Sequence, residues 1–111
     1  MKPLPTLKQK KRYLVFEIIS DKKFTFNEIK DEMERAMKDF FGVLGLAKSS
    51  PTILEEKFNP EKQKFMIKVN HKYVDELKSA IILSKSIKNN SIIVKSVIVS
   101  GTIKKAAEQI R

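Results

Sequence analysis

Two short stretches concentrate side chains suited to meeting a polyanion. LKQKKRY places Lys8, Lys10, Lys11 and Arg12 directly ahead of Tyr13, and SGTIKKA sets Ser100, Gly101 and Thr102 before Lys104 and Lys105. Ammonium and guanidinium groups neutralise phosphates and release condensed counterions, and an aromatic ring offers a face on which a base can stack. Lys64 and Lys68 lie on one face of a predicted strand and extend the same chemistry.

Groups that could perform covalent chemistry are poorly arranged by comparison. Glu55 and Glu56 are adjacent on a predicted strand, so they point to opposite faces and cannot share acid/base work. His71, between Asn70 and Lys72, reads as a surface or helix-start histidine. Gly42-Val43-Leu44-Gly45 has no strand feeding it and no Lys-Ser/Thr pair closing it, so it is not a phosphate loop. The chain has no cysteine and one histidine, which excludes disulfides, Cys-type metal sites and His-cluster metal sites. No catalytic residue, bound metal or cofactor is expected in this chain.

The formal net charge is +10 over 111 residues. The excess lies at the two ends, +5 over residues 1–24 and +5 over 71–111, whereas 25–45 carry −2 and 46–70 carry +2. Such polarity points to a polyanionic partner; a lysine-rich surface serving only solubility is the plainer alternative. With 41% hydrophobic and 32% charged residues, the chain has the balance of one soluble globular domain with a modest core. No apolar run approaches a membrane span, and MKPLPTLKQKKR lacks the apolar segment of a signal peptide, so a cytoplasmic protein without membrane contact is expected.

The elements that must position these side chains follow from periodicity. Residues 1–11 read as a basic arm ahead of a single domain over 12–111. Tyr13–Ile19 reads as a strand with Leu14, Phe16 and Ile18 facing a core and Tyr13, Val15, Glu17 and Ile19 facing away. Thr25-Phe26-Asn27-Glu28 is a capping box, and Phe26, Ile29, Met33, Ala36, Met37 and Phe40 follow at helical spacing until Gly42 or Gly45 ends the helix. Thr52–Phe58 and Gln63–Val69 flank Asn59-Pro60-Glu61-Lys62 as a hairpin. A helix over 72–87, a turn at Asn89-Asn90 and a strand over Ile92–Val99 complete the pattern. Behind Thr102 as N-cap, Ile103, Ala106, Ala107 and Ile110 mark a short amphipathic helix over about 103–110.

The order is β-α-β-β-α-β, the α+β, ferredoxin-like or RRM-like split β-α-β arrangement: a four-stranded antiparallel sheet with two helices on one face, plus a short C-terminal helix. The other face is left open, or is covered by the terminal helix or a partner. One aromatic, Tyr13, on that face beside Lys64, Met66 and Lys68 makes a poor single-strand reader, and backbone contacts through lysine and arginine are the preferred mode. The outer side of the first helix, with Lys30, Glu34, Lys38 and nearby Phe41, is a candidate protein-docking surface.

LKQKKRYLVFEI (7–18), IKVNHKYVDELKSAI (67–81) and VIVSGTIKKA (97–106), taken in order, resemble the archaeal and eukaryotic ribonuclease P protein component 2 family. The resemblance implies a noncatalytic subunit of the ribonucleoprotein endoribonuclease that removes the 5′ leader of precursor tRNA. It also implies ribonuclease P RNA and ribonuclease P protein component 3 as partners, possible self-association, precursor tRNA as substrate of the complex, and Mg2+ held by the RNA. Lys10, Lys11, Arg12 and Tyr13 match the family's basic-aromatic strand start, and Ser100, Gly101, Thr102, Lys104 and Lys105 its terminal motif. Where the family pattern carries arginines this chain has Lys68 and His71, a point charge and an imidazole in place of a bidentate fork. A ferredoxin-like module that binds only protein, or another RNA-binding protein, is the alternative. A hydrolase of the acylphosphatase kind would need an arginine-lined phosphate loop that Ser20-Asp21-Lys22-Lys23 does not supply.

Overall fold

The computed structural model describes residues 10–111; Lys8 and the rest of the basic arm before Lys10 lie outside the described residues. Strand β1 (Lys11–Ile19) begins two residues earlier than expected and is central to a sheet of order β2-β3-β1-β6, antiparallel throughout. The other strands of that sheet are β2 (Thr52–Ile53), β3 (Lys64–Asn70) and β6 (Ile93–Ser100). Helices α1 (Phe26–Ser49) and α2 (Val74–Ile82) pack on the face formed by Leu14, Phe16, Ile18, Phe65, Ile67, Val69 and Val94. This is the split β-α-β arrangement that the sequence predicts. Phe16 and Phe65, paired across β1 and β3, stack with centroids 5.6 Å apart at its centre.

Local chemistry explains the start of α1. Thr25 Oγ1 accepts from the Glu28 amide, and Glu28 Oε1 accepts from the Thr25 amide at 3.0 Å. That backbone hydrogen bond is the largest influence holding the Glu28 carboxyl below its ordinary pKa. Neither Gly42 nor Gly45 ends the helix. Gly42 kinks it with φ 70 and ψ −178, the helix resumes, and Ser50 supplies the left-handed cap. The expected stripe fails just before the kink: Ile29, Met33, Ala36 and Met37 are buried, but Phe40 is 45% exposed while its neighbour Phe41 packs on the core. A Cβ at Gly42 would meet nothing within 4 Å, so substitution is penalised through the backbone alone. Gly42→Ala is expected to destabilise the fold by about 1–3 kcal/mol in urea unfolding; wild-type stability would mean that the kink is dispensable.

Three other boundaries differ from expectation. The strand predicted over Thr52–Phe58 stops at Ile53, because Leu54 joins the apolar cluster on the far sheet face while Phe58 joins the main core; a 3-10 turn at Glu55–Lys57 carries the chain across. The helix predicted over 72–87 is a 3-10 turn at His71–Tyr73 followed by α2, which ends at Ile82. A small hairpin, β4 (Ser86–Ile87) and β5 (Asn90–Ser91), follows it. Its turn residues Lys88 and Asn89 both have positive φ, the geometry of a two-residue hairpin turn of the type that matches strand twist. Finally, β6 starts at Ile93 and runs through Ser100.

The middle of the far face of the sheet is covered. Helix α3 (Ile103–Glu108), capped by Thr102, docks Ala106 and Ile110 on Val15 and Met66, with Tyr13, Leu54, Val97, Ile98 and Ala107 packed around them. Ile103, expected in the buried stripe, is 39% exposed because the short helix rests on its Ala106 side. No described helix is long and apolar enough to cross a membrane.

Candidate nucleic-acid interface

Strand pairing brings the two basic stretches together. Tyr13 lies opposite Lys68 on one side and Ser100 on the other, and Lys68 in turn lies opposite Thr52, so one row crosses all four strands on the α3 face. Side chains directly opposite on antiparallel strands share a face about 5 Å apart. Arg12, on the other face of β1, reaches the strand end: a Cβ on Gly101 would lie 3.8 Å from Arg12 Nη1, which donates to Lys11 O at 3.2 Å. The β1 start and the terminal motif, distant in sequence, therefore adjoin.

Hydrogen bonding fixes the exit from β6. Ser100, nearly buried, accepts from the Thr102 amide through Oγ at 3.1 Å, and Thr102 Oγ1 accepts from the Lys105 amide at 3.4 Å. These two hydroxyls shape the turn and cap α3, while Lys104 and Lys105 project from its exposed side. Lys10 is exposed; Lys11, Arg12, Tyr13 and Lys68 are half-buried.

Lys64 has a different local role. Its Nζ donates to Gln109 O at 2.9 Å, Asn59 Nδ2 donates to Ile110 O at 2.8 Å, and Lys62 Nζ donates to Arg111 O. Three donors from one hairpin thus clasp the C-terminal end of α3. Asn59 also organises that hairpin, since its Oδ1 accepts from the Glu61 and Lys62 amides. Nothing in the alternation of β3 signals this clasp; it depends on where α3 lands.

Three of the four segments that form the row carry no carboxylate: residues 10–16, 62–74 and 96–107 hold lysines and one arginine but no Asp or Glu, while on the β2 side Glu55 and Glu56 follow Thr52. By contrast, the outer face of α1 is internally paired. Arg35 bridges Glu32 and Asp39, each at 2.6 Å, and the Glu32 hydrogen bond is the first cause of its raised pKa.

The candidate docking residues Glu34 and Lys38 are exposed on α1 and border a cleft of about 370 Å³ shared with Met37 and Leu46. Lys30 is half-buried, and Phe41 packs against the core with its ring edge toward Tyr73 at 6.3 Å. More accessible apolar groups, which the helical spacing does not reveal, lie near the kink: Val43 is 78% and Leu44 75% exposed, beside exposed Phe40. Their signal is an apolar pair bracketed by Gly42 and Gly45.

The fold and the sequence have relatives. A chain in the cryo-EM structure of yeast ribonuclease MRP superposes with a TM-score of 0.65 at 16% identity, covering 86% of this chain and 76% of that one, which shows a shared fold. Ribonuclease P protein component 2 of Pyrococcus abyssi is 36% identical over 91% of this chain and 84% of its own length. The protein of that name from Methanococcus vannielii is 31% identical over 95% of this chain and 78% of its own. Residues 12–111 match the model of the Rpp14/Pop5 family, so β1 from Arg12 onward, the Tyr13 row, the clasp and α3 all fall within the match, and the chain belongs to the Rpp14/Pop5 family.

Proposed function

We propose that this chain, a homologue of ribonuclease P protein component 2, serves ribonuclease P as a noncatalytic cytoplasmic subunit. It binds and stabilises the RNA subunit, which holds the metal ions and cleaves the 5′ leader from precursor tRNA. The observation that carries this reading is the convergence of Lys11, Arg12, Lys68, Lys104 and Lys105 around the ends of β1, β3 and β6, whose segments there hold no carboxylate. Such a surface screens phosphate repulsion between RNA segments, and because its cations sit on strands and a docked helix, their spacing is set before RNA arrives.

Replacing Lys104 and Lys105 together with alanine is expected to weaken RNA binding and to lower the slope of log affinity against log salt by about 1.4–1.8. Wild-type affinity and slope would reassign the terminal motif to packing. Omitting the protein from a reconstituted precursor-tRNA cleavage assay is expected to reduce cleavage, most at low magnesium; an unchanged rate across magnesium concentrations would remove the proposed role.

The exposed Phe40, Val43 and Leu44 favour a second contact on the opposite side of the domain. Ribonuclease P protein component 3 is the partner we assign to it, with self-association of this chain as the competing occupant. Recovery of component 3 after nuclease treatment distinguishes protein docking from tethering through RNA.

A further inference from the structure

We infer that the end of the sheet beside the first turn of α3 holds one unpaired nucleotide of RNA, its base stacked on Tyr13 and its flanking phosphates met by Lys68 and Lys11. The inference rests on the RNA-binding reading above and narrows it from backbone contact in general to a single-stranded segment. Helix α3 starts beside the Tyr13–Ser100 pair and ends over the Asn59–Lys64 hairpin, so it covers the Val15–Met66 part of the face. Toward β2 the Tyr13 row stays accessible: Tyr13 and Lys68 are half-buried and Thr52 is exposed.

The result is a shelf. Tyr13 packs against the α3 cluster and is therefore held in place, yet it is only half-buried, and Lys68 stands directly opposite it across the strand pair. Lys11, two residues along β1, shares that face opposite Asn70. A base in a duplex has both π-faces covered by its neighbours, so an aromatic ring set in a sheet can stack only on an unpaired one. One ring offers one stacking position and does not discriminate among bases, because each has a π-face.

The test titrates the full chain into a short oligouridylate carrying one 2-aminopurine, and into an RNA duplex of the same length. The wild-type protein is expected to quench 2-aminopurine fluorescence in the single strand on binding. Tyr13→Leu is expected to lose that quenching and about fivefold or more in single-strand affinity while duplex affinity is unchanged; Tyr13→Phe retains both properties. The absence of quenching by wild-type protein that does bind the strand would overturn the stacking site yet leave RNA binding intact, and this arm does not depend on any variant folding. Equal losses on strand and duplex by Tyr13→Leu would overturn it too. Failure of wild-type protein to bind either RNA would overturn the RNA-binding reading together with the site.

Discussion

Gln63→Ala is expected to lower global stability by about 2–4 kcal/mol, a large share of a small domain's total. Gln63 is nearly buried, and its side chain answers both polar groups of one residue in the preceding connection. Gln63 Oε1 accepts from the Phe24 amide at 2.7 Å, and Nε2 donates to Phe24 O at 3.1 Å and to Pro60 O at 2.7 Å. Phe24 is itself in the core, so alanine would leave its amide and carbonyl without partners away from water. The backbone contributes a separate term, because Gln63 has φ 53, a left-handed conformation more easily adopted by glycine. Comparing Gln63→Gly with Gln63→Ala in urea unfolding separates the two: glycine is expected to recover about 1 kcal/mol but to remain below wild type. A glycine variant as stable as wild type would show that the amide bridge contributes little.

Gln63 also illustrates what the sequence conceals. A glutamine beside Asn59-Pro60-Glu61-Lys62 reads as solvent-facing turn, and its partner Phe24 lies 39 residues earlier. Features that a few neighbouring residues determine were legible: the Thr25–Glu28 box and the Thr102 cap form where expected, and β1 and β3 alternate as expected although their ends shift by one or two residues. The fold class was legible through the β-α-β-β-α-β pattern, whereas the meeting of the basic β1 start with the end of β6 comes from the strand pairing. Features set by a second layer were less so. The β-strand alternation left the far face either open or covered by the terminal helix or a partner, and the choice is decided by Ala106 and Ile110 meeting Val15 and Met66. The early end of β2 and the clasp role of Lys64 follow from that same docking. Local rules admit either a stop or a kink at Gly42 and Gly45, so they suggest a helix end at one of the two; the packing of Phe41 and Leu46 on the core on either side of Gly42 favours the kink.

Ala106→Asp is expected to release α3 while leaving the α1 and α2 side of the domain folded. Ala106 is fully buried against Val15 and Met66 in a cluster separate from the main core. An unpaired carboxylate at that position costs several kcal/mol. Ile110 burial contributes about 1.5–3 kcal/mol and each clasp hydrogen bond roughly 0.5–1.5 kcal/mol, comparable in sum to the charge. A six-residue helix has no stability of its own, so undocking costs less than unfolding the sheet. Amide exchange is the direct measurement: protection is expected to vanish over 103–110 and to persist at Leu14, Phe16, Phe65 and Ile67. Loss of protection at those four residues as well would make α3 part of one cooperative unit. For RNA binding the neutral Ala106→Gln, which overfills the same site, avoids adding a negative charge. If docking is what aims Lys104 and Lys105, Ala106→Gln weakens binding, and adding the double lysine substitution to it costs less than the same substitution does in wild type. Full additivity would mean that the two lysines meet RNA equally well from an undocked segment, and the clasp would then serve the stability of the sheet face rather than the geometry of the interface.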